Sequence, residues 1–172
     1  FDKTGQCIEM PGANRIKRNM CVQTFPVVEK HNLIWIWLGN PTLANHDDII
    51  NCSFLADDEW KYTEDYLFYQ SDYSLIVDNL LDASHLNYVH ANSIGSNPNT
   101  QVPTKTSRTD FGLHVEDFWK NDEPAPHHKQ AGSFKGKVDR WNIYDWHIKG
   151  NLLVLDSGSA PAGSDGHKGN RY

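Results

Sequence analysis

The stretch from Val77 to His90 concentrates side chains that can bind a divalent metal ion. It holds two carboxylates, one amide and two imidazoles within an apolar segment. Oxygen and nitrogen donors of this kind suit a divalent iron or zinc ion. The sequence therefore predicts a metal site, whose candidate residues are Asp78, Asn79, Asp82, His85 and His90.

The spacing of these residues sets a geometric condition on the site. Steps of three or four residues return to the same face of a helix, so Asp78, Asp82 and His85 share a face. At about 100° per residue, His90 lies roughly 140° around the helix from His85. Both histidines can meet one ion only if the helix ends or distorts between them. We expect that distortion at Asn87-Tyr88-Val89.

Two other interpretations of the stretch are open. Single histidines and aspartates on a helix are usually surface, core or capping residues. A zinc protease would carry His-Glu-x-x-His, with histidines four apart and a glutamate next to the first. Here Leu86 follows His85. The ordered set Asp82-x2-His85-x4-His90 therefore favours a metal site of another kind.

The elements around the stretch must position it. Trp60 to Gln70 is aromatic and is predicted to be a strand that leads into a helix from about Asp72 to Tyr88. An apolar stripe along that helix predicts that one face is buried while the other carries the metal ligands. The stripe consists of Leu75, Ile76, Leu80, Leu81 and Leu86.

Strand patterns lie on both sides of the helix. Gly5 to Ile8 is predicted to be a short strand. Val22 to Glu29 and Leu33 to Leu38 form a predicted hairpin connected by Lys30-His31-Asn32, with tryptophans on one face and isoleucines on the other. Ser107 to Lys120 and Asn151 to Ala160 are further predicted strands.

The last part of the chain raises two questions about individual side chains. Trp141, Tyr144 and Trp146, in the segment from 136 to 146, are expected either to line a pocket for a flat ring or to pack in the core. The segment from 121 to 130 is predicted to be a loop with His127 and His128 at the surface.

Antiparallel strands together with one buried helix predict an α+β fold in which a sheet wraps a helix. The break at Gly39-Asn40-Pro41 and the polar stretch after it predict a domain junction. The predicted domains are residues 1–42 and residues 43–172.

The segment Asp78-Asn79-Leu80-Leu81-Asp82-x2-His85-x4-His90 resembles the mononuclear iron motif of Rieske non-haem iron oxygenases. It is most similar to the vanillate O-demethylase and dicamba monooxygenase branch. The segments 1–7 and 25–41 resemble the closing strands of that family's Rieske domain. The resemblance implies that residues 1–42 are the C-terminal remainder of a Rieske domain. It also implies that residues 43–172 are the first part of a helix-grip catalytic domain, an antiparallel sheet around a helix.

The resemblance further implies how the site works. His85 and His90 would be ligands of a mononuclear Fe(II), and the third ligand, a carboxylate, is expected beyond Tyr172. Asp82 is expected to hydrogen-bond a histidine ring nitrogen and to carry electrons from a neighbouring subunit's Rieske cluster. Asn79 matches a family position near the iron. The ligands of the 2Fe–2S Rieske cluster are expected outside this chain, before Phe1.

The reaction implied by the resemblance is oxidation of an aromatic substrate of the methoxybenzoate or vanillate type, by O-demethylation or ring hydroxylation. It would use O2 and electrons from NAD(P)H, delivered by a reductase or ferredoxin, in a homotrimer. Two rival functions are open. A non-catalytic helix-grip domain would bind an apolar or aromatic ligand without metal. A zinc hydrolase would use Asp78 or Asp82 to activate water.

Composition restricts the partners and the compartment. The net charge of -6 leaves no basic footprint for nucleic acid. No apolar run is long enough to span a bilayer, so no membrane partner is expected. The three cysteines, Cys7, Cys21 and Cys52, show no C-x-x-C pair, and Cys7 and Cys21 are expected to be buried or half-buried thiols. A cytoplasmic protein is expected.

Overall fold

The structure is a computed structural model that describes residues 1–95, 102–132 and 134–164, together with the backbone of residues 170 and 171. Two compact units make up the chain, residues 1–67 and residues 68–172. Compactness alone does not identify a domain's family, so the predicted domain junction after residue 42 stays a prediction. Within the described residues, no helix is long and apolar enough to cross a membrane.

The first unit is built around one β-hairpin. Strand β1, Val27–Lys30, pairs with β2, Leu33–Ile36, in an antiparallel register that opposes Val27 to Ile36. His31 and Asn32 both have φ of 58°, as a tight two-residue hairpin turn requires. Three short 3₁₀ turns follow, at Pro41–Leu43, His46–Asp48 and Ser53–Ala56. The predicted hairpin is confirmed.

The alternation along β2 is also confirmed. Trp35 is half-buried, whereas Ile34 is 77% exposed and Ile36 is 56% exposed. The isoleucine face of the hairpin is therefore the exposed one in this chain.

Other expectations for the first 70 residues were wrong. The segment from Gly5 to Ile8 makes only one isolated bridge, between Gln6 and Cys21, and residues 60–69 contain no strand. An aromatic segment becomes a strand only where a neighbouring strand pairs with it, and the described residues supply none here. Cys21 is exposed rather than buried.

The second unit combines a helical segment with an antiparallel sheet. It confirms the α+β class. Its helices are α1, Tyr73–Leu81, α2, Leu86–Val89, and α3, Pro126–Gly132, with a 3₁₀ turn at Ala83–His85 between the first two. Its strands are β3, Lys105–Arg108, β4, Gly112–Asp122, β5, Val138–His147, β6, Leu152–Pro161, and β7, Asn170–Arg171. The strand order is β3-β4-β5-β6-β7.

The core of this sheet lies where β4, β5 and β6 are paired along most of their length. Directly opposed residues share a face of the sheet, and Asp117, Asn142 and Ser157 form one such row across the three strands. All three are buried. The same face carries Arg140, whose guanidinium stacks over the Trp119 ring at 3.8 Å. This face is therefore buried but unusually polar.

Two predicted boundaries in this unit were wrong. The strand predicted at Ser107 to Lys120 is two strands, β3 and β4, joined by a turn. The loop predicted at 121–130 contains the end of β4 and the helix α3, which begins at Pro126 because proline is well suited to the first turn of a helix. His128 is 1% exposed, not a surface residue, and its Nδ1 contacts the Ser159 hydroxyl.

The apolar stripe of α1 is only partly used. Leu75 is 61% exposed and Leu80 is 47% exposed, and none of the helix residues is fully buried. Ile76 and Val77 line a small cavity together with Trp146 of the sheet. The expected burial of the whole stripe was therefore wrong, because only one edge of the stripe faces the sheet.

Candidate metal centre and its cavity

The helical segment breaks at Asp82. Helix α1 begins after Asp72, whose carboxylate accepts from the Ser74 N–H at 2.9 Å, and it ends at Leu81. Asp82 has φ -94° and ψ 88°, and its Oδ1 accepts from the Ser84 N–H at 2.9 Å. A side-chain acceptor that caps the following turn competes with continuation of the helix. The predicted unbroken helix to Tyr88 was wrong, and Asn87 to Val89 lie inside α2 instead.

His85 is oriented by backbone rather than by a carboxylate. Its Nδ1 lies 2.6 Å from the backbone carbonyl oxygen of Asp82. A carbonyl oxygen only accepts, so Nδ1 carries the hydrogen and Nε2 keeps its lone pair. The expectation that the Asp82 carboxylate would hold a histidine ring is corrected here, because that carboxylate is turned to Ser84.

His90 is fixed by its own backbone at the end of α2. Its N–H donates to the Leu86 carbonyl at 3.0 Å, and its carbonyl accepts from the N–H groups of Ser93 and Gly95 at 3.0 and 2.9 Å. Position 95 has no room for a side chain, since a Cβ there would lie 2.2 Å from the Leu86 carbonyl oxygen. The chain after α2 thus folds back tightly beneath His90.

These turns bring the two imidazoles together. The ring centroids of His85 and His90 are 5.4 Å apart, with an angle of 66° between the ring planes. The two histidines flank α2, the single helical turn Leu86–Val89. Among the described residues, no third histidine, cysteine or acidic residue completes a metal-binding group with them.

The two histidines open onto a cavity of about 260 Å³ between the helical segment and the buried face of the sheet. Asp78 is not among the described residues that line it. The helical side consists of Asn79, Leu80, Asp82, Ala83, His85, Leu86 and His90, the sheet side of Asn142, Tyr144, Leu155 and Ser157, and Ile94 and His127 complete the lining.

Three titratable side chains set the charge of the cavity. Hydrogen bonds from Ser84, together with the nearby His85, lower the pKa of Asp82. Burial raises the pKa of Tyr144 to about 12. Burial also lowers the pKa of His127. At neutral pH the cavity thus holds one carboxylate, a protonated phenol and neutral imidazole.

The structure separates the three aromatic side chains of β5. Tyr144 lines the cavity beside the histidines, and Trp146 lines the second cavity, beside α1. Trp141 is buried, and its indole N–H donates to Asp156 Oδ1 at 2.9 Å. Two acidic residues follow Trp141 in the chain at positions 156 and 165. Asp156 accepts the Trp141 hydrogen bond and is not among the described residues of the histidine cavity, and Asp165 lies outside the described residues.

Several cavity residues were missed from the sequence. His127, expected at the surface, lines the cavity, and its Nδ1 lies 3.1 Å from the Ser93 carbonyl oxygen. Asn142 and Ser157 were not singled out. Their signal was polar residues at inward positions of strands β5 and β6, where alternation leads one to expect apolar side chains.

The ring nitrogens of His85 and His90 are the donor atoms that the site offers to a metal ion. His85 offers Nε2 in the tautomer that binds a metal, and His90 stands 5.4 Å away at the same cavity. Metal-binding histidines commonly donate their other ring N–H to a carbonyl or carboxylate, as His85 does. These two residues fit as two ligands of a divalent iron.

Comparison with known proteins identifies the family of the chain. The family described as Vanillate O-demethylase oxygenase C-terminal domain matches residues 69–170. The putative toluene-4-sulfonate monooxygenase system iron-sulfur subunit of Comamonas testosteroni is 41% identical over 99% of this chain and 50% of its own length. The vanillate O-demethylase oxygenase subunit of a Pseudomonas species is 31% identical over 97% of this chain and 52% of its own length.

Among solved structures, dicamba monooxygenase bound to 3,6-dichlorosalicylic acid superposes with a TM-score of 0.89 at 27% identity, covering 99% of this chain and 51% of that one. The chain spans about half the length of the curated relatives it matches. The chain therefore belongs to the vanillate O-demethylase oxygenase C-terminal domain family, within the Rieske non-haem iron oxygenases.

Proposed function

We propose that this chain is the part of a Rieske-type oxygenase component that supplies His85 and His90 as two ligands of the mononuclear Fe(II). One observation carries the proposal: the two imidazoles stand 5.4 Å apart at a cavity, and the His85 tautomer leaves Nε2 available. Two histidines and one carboxylate leave open positions on Fe(II). The location of that carboxylate outside the 172 residues stays a prediction.

We propose further that the whole enzyme oxidises an aromatic substrate of the methoxybenzoate or vanillate type. O-demethylation would convert the methyl ether, O2, NAD(P)H and one proton into a phenol, formaldehyde, water and NAD(P)+. The relatives named vanillate O-demethylase and dicamba O-demethylase support a methyl ether as the group that is oxidised. The name toluene-4-sulfonate monooxygenase leaves oxidation of a carbon attached to the ring as an alternative. The names "oxygenase component" and "oxygenase subunit" support a separate reductase.

The residues of this chain would hold the substrate and keep water away from it. Leu80, Leu86 and Leu155 present apolar surface to the cavity, which suits an aromatic ring. A bound Fe(II) would supply the activation of O2. Asp82, ionised beside His85, would carry electrons toward the site, and Asn79 lines the cavity on the same side. The electron route would run between subunits of a homotrimer.

Anaerobic Fe(II) titration tests the metal site. We expect a full-length protein to bind about one Fe(II), and the 172-residue chain to bind it weakly, because two imidazoles without the carboxylate form an incomplete site. Equal affinity of both proteins would place the third ligand within this sequence.

Turnover tests the chemistry. The iron-loaded full-length protein, supplied with its reductase, NADH and vanillate, should release formaldehyde in step with NADH oxidation. A protein that binds vanillate without iron and gives no product would instead be a ligand-binding domain.

A further inference from the structure

The sheet wall of the cavity carries three neighbouring polar side chains, Asn142, Ser157 and Tyr144. Asn142 of β5 and Ser157 of β6 are directly opposed, and the Ser157 hydroxyl donates to Asn142 Oδ1 at 2.7 Å. Tyr144 lies two residues along β5, on the same face. All three line the cavity, and they are only 9%, 9% and 4% exposed, respectively.

The hydrogen bond between Ser157 and Asn142 determines which donors and acceptors the three side chains present to a ligand. Because the Ser157 proton is given to Asn142, the Ser157 oxygen keeps only acceptor capacity. The Asn142 amide also hydrogen-bonds the Tyr144 side chain, which leaves one amide N–H for a ligand. Tyr144, whose pKa burial raises to about 12, keeps its O–H as a donor at neutral pH. The wall thus presents donors and one acceptor within a short distance.

The cavity favours a ligand that places a polar group against Asn142, Tyr144 and Ser157. The same cavity lining contains the apolar side chains Leu80, Leu86, Ile94 and Leu155. Polar groups that lose water without gaining a partner are costly, so a ligand that fills this cavity must match them.

This arrangement of hydrogen-bond donors and one acceptor distinguishes between substituents of an aromatic ring. A phenolic hydroxyl both donates and accepts, so it can donate to Ser157 and accept from Tyr144 or Asn142. A methyl ether accepts but cannot donate, and a ring hydrogen does neither. Only the hydroxyl satisfies donors and acceptor together.

We propose that Tyr144, Asn142 and Ser157 form a hydroxyl-binding subsite that selects aromatic substrates carrying a free phenolic hydroxyl group. The proposal rests on the proposed function in one respect, that the aromatic substrate occupies this cavity. It names a substrate feature and three specificity-determining residues of that site.

Equilibrium binding to the full-length oxygenase, measured anaerobically by calorimetry, tests the subsite. The probes are vanillate, 3-methoxybenzoate, which lacks the hydroxyl, and 3,4-dimethoxybenzoate, which masks it as a methyl ether. We expect vanillate to bind about tenfold more tightly than either analogue, as one well-formed hydrogen-bonding set allows.

The variants Tyr144→Phe and Ser157→Ala each remove one hydroxyl without adding bulk. Each should remove most of the preference for vanillate while changing the affinity for 3-methoxybenzoate by less than about twofold. The matched control is Ser159→Ala. Ser159 is a buried serine on the same strand and face, contacts His128 instead, and is not among the described residues of the cavity lining. That control should keep the preference.

The outcomes separate the subsite from the proposed function. Binding of all three probes with equal affinity, or a preference that both variants retain, overturns the subsite and leaves the proposed function standing. Failure of every probe to bind the unmodified protein overturns the proposed substrate class and the subsite with it. Circular dichroism of each variant confirms that it is folded before it is compared.

Discussion

The Nδ1 atom of His85 lies 2.6 Å from the backbone carbonyl oxygen of Asp82, while the Asp82 carboxylate accepts from the Ser84 N–H. One residue thus orients the histidine through its main chain and caps the next turn through its side chain. The orientation of His85 does not depend on the charge at position 82. The structural and electrostatic roles of Asp82 can therefore be separated by substitution.

Asp82→Asn in the full-length protein removes the charge and keeps a capping oxygen, since asparagine caps about as well as aspartate. We expect Fe(II) affinity to fall by less than the order of tenfold seen when a residue that supports a ligand is lost. Turnover should nearly vanish if the carboxylate carries electrons. Single-turnover kinetics with the Rieske cluster reduced beforehand measures cluster reoxidation and product together.

The matched control for that experiment is Asp78→Asn, which alters a carboxylate of the same helix outside the cavity lining. It should leave both iron binding and turnover close to normal. Normal cluster reoxidation and product yield in Asp82→Asn would remove Asp82 from the electron path.

His85→Ala and His90→Ala should each abolish stoichiometric iron binding and product formation in the full-length protein, because each removes a direct bond to the metal. Iron content by atomic absorption and formaldehyde release are the measurements. His46→Ala, in an exposed 3₁₀ turn of the first unit, is the control and should change neither. Retained activity in either cavity variant would refute the ligand assignment.

Gly95→Ala tests whether the tight return of the chain positions His90. A Cβ at position 95 would lie 2.2 Å from the Leu86 carbonyl oxygen and 2.9 Å from that of His90, so the backbone must shift. We expect a loss of about 1–3 kcal/mol in unfolding free energy and weaker iron binding. Gly136→Ala has open space around the new methyl group and should be neutral. Equal urea denaturation curves for the two variants would contradict the geometry.

His128 predicts a pH dependence of stability. Burial, with nearby His127, lowers its pKa from 6.5 to about 4, so the unfolded chain binds more protons than the folded one between these values. Its contribution to stability is complete above pH 6.5 and is lost as the pH falls toward 4. The total loss is about 3 kcal/mol.

Urea unfolding at several pH values, compared between the parent protein and His128→Gln, isolates this contribution because the other titrating groups are shared. The stability difference between them should shrink steadily as the pH drops below 6.5. A difference that does not change with pH would show that His128 titrates normally.

The sequence by itself determined the local features of this protein. The hairpin from Val27 to Ile36 follows from β-rich runs around a turn, and the strand predicted at Asn151 to Ala160 is β6. Residue types and spacing marked the stretch from Asp78 to His90 as a metal site, and the resemblance to the oxygenase family implied that His85 and His90 are its ligands. These signals are local, because turn preference and side-chain periodicity act over a few neighbouring residues.

The helix ends at Leu81 because the Asp82 side chain accepts from the Ser84 N–H, a local hydrogen bond that helical periodicity does not reveal. Only the tertiary structure decided what faces the segment. His128 is buried because α3 and β6 bring it to Ser159. Asn142 and Ser157 meet because β5 and β6 pair in one register, and a shift of one residue would turn both away from the cavity. Register is a property of the assembled sheet, which no single strand encodes.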